Sequence, residues 1–205
     1  GGTGDGGKVS VNGTVYEDAD VYAFVKNNGG KVAVYKENLY KPMPGYRFIA
    51  SNTDRSRYYV GELNGKSSKQ AYMDALHISE SNIINQTFHN PIGKMNGQDI
   101  CIISLKEVSG NGLCCYRQVN DSDVLVLLEE QDYNEILDET LQRIRRDFNH
   151  ISGVFSINCV FRYLLFSQEH HMEDYLKTMS TLGDHAGLIG FGEHYNQQFV
   201  NQTMT

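Results

Sequence analysis

Between Asp132 and Phe148 the chain carries a pattern that only one local structure satisfies. Tyr133, Ile136, Leu137, Leu141, Ile144 and Phe148 recur at i, i+3 and i+4 spacing, which places them on one face of a helix. Asp132 stands where an N-cap belongs and Glu135 follows three residues later. A helix with one apolar stripe has to lay that stripe on another layer, and the rest of the chain supplies strands. Lys8 to Tyr16 alternates on both sides of Asn12-Gly13, a hairpin signal because both turn residues tolerate positive φ. Ala19 to Lys26, Lys31 to Tyr35, Tyr46 to Ala50 and Tyr58 to Leu63 also alternate, with Pro42 and Pro44 marking an irregular connection. Ser67 to Ile78 reads as a helix carrying Ala71, Tyr72, Ala75 and Leu76 on one face.

Further on, Ile100 to Leu105, Leu113 to Val119 and Val124 to Leu128 read as three consecutive antiparallel strands. Gly153 to Asn158 is a short apolar strand in a central position, and a second helix runs from Cys159 to about Met179. Ala186 to Ile189 and Phe199 onward complete the set. Strand runs interspersed with long helices point to an α+β fold: a predominantly antiparallel or mixed sheet with two or three long helices packed on it.

Composition narrows the function classes. The 205 residues suffice for one large or two small cores. Apolar residues make up 40% of the chain without any run near the eighteen that a spanning helix needs, so a membrane segment is not expected. A net charge of -7 disfavours nucleic acid, because phosphate neutralisation needs clustered Lys and Arg. Cys101, Cys114, Cys115 and Cys159 lack the spacing of a disulfide framework and read as free thiols in a reducing cytoplasm. The opening GGTGDGGK fits most of a P-loop, yet a strand follows where the phosphates need a helix N-terminus, and Val9 stands where Ser or Thr would hold magnesium. No nucleotide or other cofactor is expected, and the glycine-rich start reads as a cut through a longer protein.

Chemistry concentrates near the C-terminus. Gly190 and Gly192 allow a sharp turn or a close backbone approach, which leaves Glu193 at the mouth of that corner. Cys159 and Arg162 sit where a strand gives way to a helix, beside amides and a dipole that favour anions. An arginine can grip a carboxylate with two parallel hydrogen bonds, and a glutamate can take an amine, so the two together suit a zwitterion. The equal alternative is that Arg162 and Glu193 simply pair with each other. A thiol enzyme built on Cys159 would need a base such as His185 or His194, and a buried cysteine acts mostly as a small hydrophobe. His170 and Asp174 would share a helical face as metal ligands, although a solvated face explains that spacing better, and no metal is expected. Asn201 and Thr203, alternating around Gln202, would lie on one side of a strand and line the pocket or bond the neighbouring loop.

These stretches carry a resemblance. Gly190-Phe191-Gly192-Glu193 followed by Asn201-Gln202-Thr203 resembles the closing signature of the FIST family, intracellular sensory modules of bacterial signalling proteins. Cys159-Val160-Phe161-Arg162 resembles that family's strand-to-helix Cys-x-x-Arg, and Leu63-Asn64-Gly65-Lys66 its Leu-Asp-Gly-Lys turn. Gly1 to Asp5 resembles a glycine-rich stretch in the N-terminal half of such modules. The family often has proline after the Lys66 position, where this chain has Ser67-Ser68. The resemblance implies the end of a FIST N-terminal region over residues 1–62 and a FIST C-terminal domain over 63–205. It implies a non-catalytic cytoplasmic module that binds a small ligand, amino acids in the first place. Binding would act on the Gly190 to Asn201 loop and shift a two-state equilibrium read by a kinase, cyclase or chemotaxis-type output domain. A homodimer is compatible with that role. Alternatives are a thiol-dependent hydrolase or transferase using Cys159, and a purely structural interaction domain.

Overall fold

The computed structural model describes residues 7–97, 99–195 and 198–205. The chain divides into two compact units, a central one of Leu39–Tyr133 and a discontinuous one that joins Gly1–Asn38 to Asn134–Thr205. β1 (Lys8–Val11) and β2 (Thr14–Glu17) form the expected hairpin, with Asn12 and Gly13 at φ 50° and 80°. Residues 19–26 and 31–35 are not strands, contrary to their alternation. Alternation makes a strand only where a neighbour takes up the backbone N–H and C=O groups, and none does so here among the described residues. A two-residue strand, β3 (Glu37–Asn38), closes this segment.

The central unit is built on one eight-stranded antiparallel sheet. β4 (Tyr40–Asp54) runs straight through Pro42 and Pro44, which the sequence reading placed in a connection. The ladder with its partner jumps from Pro42 to Arg47, so the prolines lie at a bulge where a missing N–H does no harm. β5 (Tyr59–Leu63) and β6 (Lys66–Ser67) lead into α1 (Ser68–Leu76). Ser67 caps α1, its Oγ accepting the Gln70 N–H at 3.3 Å, so serine starts the helix without a proline. After α2 (Ile83–Gln86) come β7 (Ile92–Asn96), β8 (Asp99–Ile103), β9 (Leu105–Ser109), β10 (Gly112–Cys115) and β11 (Val124–Glu130).

The sheet order is β8-β7-β11-β4-β5-β10-β9, with β6 against β5. The expected trio of consecutive strands therefore does not form: β11 inserts between β7 and β4, and β10 pairs with β5 and β9. Leu63, Tyr72, Ile83, Ile103, Leu113 and Leu127 belong to the core between this sheet and α1. Each such side chain, fully withdrawn from water, contributes roughly 1.5–3 kcal/mol.

The discontinuous unit begins again with α3 (Tyr133–Asp147), the helix read from the apolar stripe, which buries Leu137, Leu141 and Ile144. β12 (Val154–Cys159) runs into α4 (Val160–Gln168), and α5 (Met172–Met179) follows. The single helix expected from Cys159 to Met179 is thus two. His170 takes φ 54°, and the His171 N–H reaches back to the Phe166 carbonyl at 2.8 Å, the bond that closes a helix on a left-handed residue. Without a glycine there, the stop was invisible in the sequence. β13 (His185–Gly190), β14 (Glu193–Tyr195), β15 (Gln198–Val200) and β16 (Thr203–Met204) end the chain. β12 lies inside a four-stranded sheet of order β13-β12-β16-β3, parallel to β13 and antiparallel to β16. β14 and β15 form a separate hairpin. The fold is α+β with a mixed sheet, as expected. Among the described residues no helix is long and apolar enough to cross a membrane.

Candidate functional site

The inner strand β12 ends at Cys159, whose extended backbone (φ -63°, ψ 141°) makes it the residue from which α4 starts. The parallel ladder sets Gly190 beside Cys159. Gly190 has no Cβ, and one placed there would lie 3.5 Å from Glu193 Oε1, so the carboxyl folds back over the glycine. Gly192 makes this return possible at φ 111°, a conformation that other residues rarely adopt. Cys159, Gly190, Gly192 and Glu193 therefore meet at one corner.

The electrostatics of that corner are those of a dry site. Glu193 is 2% exposed, and burial pushes its carboxyl up to about 7, against smaller opposing effects of the Cys159 thiol and the Gly192 amide. Those two groups approach the carboxyl without hydrogen-bond geometry, and neither of its oxygens has a partner among the described residues. The Cys159 thiol is pushed up to about 11 by burial and by Glu193, although the Gln202 and Phe161 amides point at its sulfur. Such a thiol stays protonated at neutral pH and is a poor nucleophile. His185 does not serve it as a base. It pairs with Val154 at the far end of the ladder, about five strand residues or some 16 Å away, and its Nε2 lies 2.8 Å from Ser156 Oγ. The side chain of His194 lies outside the described residues, as do Gly1 to Asp5 of the glycine-rich opening.

Arg162, one turn into α4, is 1% exposed and lies over the rings of Phe166 at 4.7 Å and Tyr175 at 5.6 Å. Its ion pair is with Glu37, 125 positions earlier in the chain, and the described structure shows no pairing with Glu193. The sheet explains the meeting: Glu37 of β3 stands opposite Met204, and Met204 stands opposite Asn158, the residue before α4's start. Nothing local in the sequence marks Glu37, and only the strand pairing could have found it. Nε and Nη1 of Arg162, Oε2 of Glu37 and Oγ1 of Thr203 have no hydrogen-bond partner among the described residues.

Asn201, Gln202 and Thr203 are all buried, but not as an alternating strand. Gln202 turns left-handed at φ 52° before β16 begins at Thr203, so Asn201 and Thr203 do not share a strand face in the way that alternation implied. His170 is likewise removed from the helix that carries Asp174, because it forms the break between α4 and α5. Cys101, Cys114, Cys115 and Cys159 are all free, as expected.

An α+β domain with a buried, partly unsatisfied polar cluster at a strand-to-helix junction is the class that these features define. Residues 69–196 match the model of the FIST C domain, and the chain belongs to that family. Its domains are of the sensory type. The match takes in Cys159, Arg162 and the Gly190 to Glu193 corner, while Glu37, Asn201 and Thr203 lie outside it. No curated protein and no solved structure matches the chain.

Proposed function

We propose that this chain is a non-catalytic, cytoplasmic sensory module that binds an amino-acid-like ligand at the cluster of Cys159, Arg162, Gly190, Gly192, Glu193, Asn201 and Thr203. The observation that carries the reading is the set of orphaned polar atoms. Buried donors on Arg162 and buried acceptors on Glu193 lack partners among the described residues, and leaving such groups unsatisfied costs roughly 1–3 kcal/mol each. A carboxylate on the free edge of Arg162 and an amine on Glu193 would satisfy both at once. The bound state would be read by an attached kinase, cyclase or chemotaxis-type output domain, through the ligand's preference for one of two conformations.

Isothermal titration against a panel of amino acids tests the site. Glu193→Gln and Thr203→Val leave the Arg162–Glu37 pair intact and should weaken the best ligand by about tenfold or more. Unchanged affinity in both variants would remove the site from consideration. The thiol-enzyme reading is opposed by the high pKa of Cys159, and iodoacetamide should alkylate the half-buried Cys101 well before Cys159.

A further inference from the structure

The discontinuous unit holds a cavity of about 560 Å3 that none of the ligand contacts named above lines. Its volume is that of a small-molecule site, typically ~300–1,000 Å3. The lining is largely apolar: Ile144, Met179 and Met204 are buried, Phe148 is half-buried, and Val32 and Val34 border it from an exposed segment. The segment of residues 31–36 is tied down at its rim. Lys31 Nζ donates to the Asp147 carbonyl at 3.1 Å, Tyr35 donates its hydroxyl hydrogen to Asp147 Oδ2 at 2.6 Å, and Lys31 lies over the Phe148 ring at 5.1 Å.

One buried charged side chain stands in this lining. Glu37 is among the residues that line the cavity, its side chain is 1% exposed, one carboxylate oxygen takes Arg162, and Oε2 has no partner among the described residues. The Arg162–Glu37 pair is neutral as a whole. An ammonium brought onto Oε2 would leave a net positive charge in a dry place, whereas a neutral donor satisfies the oxygen and leaves the charge balanced. A zwitterion would also need a buried cation for its carboxylate. The lysine that lines the cavity, Lys31, is exposed and already bound to Asp147.

We propose that this cavity binds an uncharged molecule with an apolar body and a single hydrogen-bond donor, of the phenol, indole or alcohol type, whose donor meets Oε2 of Glu37. The inference stands apart from the amino-acid site: its ligand contacts are other residues, and its ligand carries no charged group where an amino acid carries two.

Four probes built on the same para-substituted ring test it on the whole chain by calorimetry or ligand-observed NMR: p-cresol, 4-methylanisole, tyramine and tyrosine. p-Cresol should bind. Blocking the donor in 4-methylanisole should weaken binding by about tenfold or more, the worth of a hydrogen bond to a charged acceptor, and the charged probes should bind more weakly than p-cresol. No binding of p-cresol, equal binding of 4-methylanisole, or tighter binding of tyramine at this cavity overturns the proposal. Phe148→Ala removes part of the wall and should weaken p-cresol severalfold. Should that variant not fold, intermolecular NOEs from p-cresol to the methyls of Val34 and Ile144 in the unaltered chain decide, their presence supporting the site and their absence refuting it. Amino-acid binding that Phe148→Ala leaves untouched belongs to the Arg162 cluster and bears on the proposed function alone.

Discussion

The two units bury their polar groups in opposite ways. Among the described residues of the central unit, the buried polar side chains are Ser68, Thr87 and Ser104, all small and uncharged. Ser68 Oγ donates to the Val60 carbonyl at 2.6 Å, and Thr87 Oγ1 accepts the Leu105 N–H at 2.8 Å. No buried side-chain N or O atom of that unit lacks a partner among the described residues. The discontinuous unit buries Glu37, Arg162 and Glu193 together with Asn158, Asn201, Gln202 and Thr203, and leaves several of their atoms unsatisfied. A core that only has to hold a fold follows the first pattern. Unsatisfied buried charge is costly to keep, and its concentration in one unit is what supports the binding site proposed for that unit.

The contrast is broken most directly at the ion pair. Glu37→Ala strands a buried guanidinium and should cost about 3–5 kcal/mol in chemical denaturation. The double variant Glu37→Leu/Arg162→Met should recover most of that loss, because apolar residues of similar volume replace a buried pair at little net cost. A double variant as unstable as the single one would mean that the pair holds the sheet in place as well.

Next in size is a pH effect confined to the discontinuous unit. Glu193 has its folded pKa raised from 4.5 to about 7, so the folded state holds this proton more tightly than the unfolded chain. Its contribution is fully present below about pH 4.5 and is lost as pH rises through 7, on the order of 3 kcal/mol in all. Urea titrations across that window, repeated on Glu193→Gln, should show the slope disappear in the variant.

Two threonines then compare the units like for like. Thr87→Val removes the acceptor of a buried N–H and should destabilise by about 1–3 kcal/mol. Thr203→Val deletes a hydroxyl that has no partner among the described residues and should be neutral, or stabilising by up to ~1 kcal/mol. Equal losses at both positions would erase the distinction drawn above.

The smallest expected effect is one on which the units agree. His77 ends α1 and His170 ends α4, each at φ 54°. Glycine at either position should raise stability by about 0.5–1 kcal/mol, measured by thermal denaturation, since a residue without Cβ relieves the left-handed strain.

What could be read beforehand follows from range. The Asn12-Gly13 hairpin, the α3 stripe and the turn at Gly192 depend on residues within a few positions of one another, and all three appear in the structure. Periodicity was misleading wherever a partner decides. Residues 19–26 alternate but find no neighbour, and β4 passes through two prolines because β11 accommodates the bulge. The two halves of the corner, Cys159 at a helix start and Gly190 to Glu193 at a turn, were legible, and the parallel ladder that brings them together was not. Nor was the counter-ion of Arg162.

The sequence by itself determined which residues must leave water, where the chain can turn left-handed, and that an arginine would sit in the first turn of a helix after a strand. Local sterics and the hydrophobic effect act on neighbours and need no knowledge of the whole. The tertiary structure alone decided that Glu37 would answer Arg162, that β11 would part β7 from β4, and that a cavity would form against α3. Those outcomes rest on register between strands far apart in the chain, and any one segment is compatible with many registers until the others are in place.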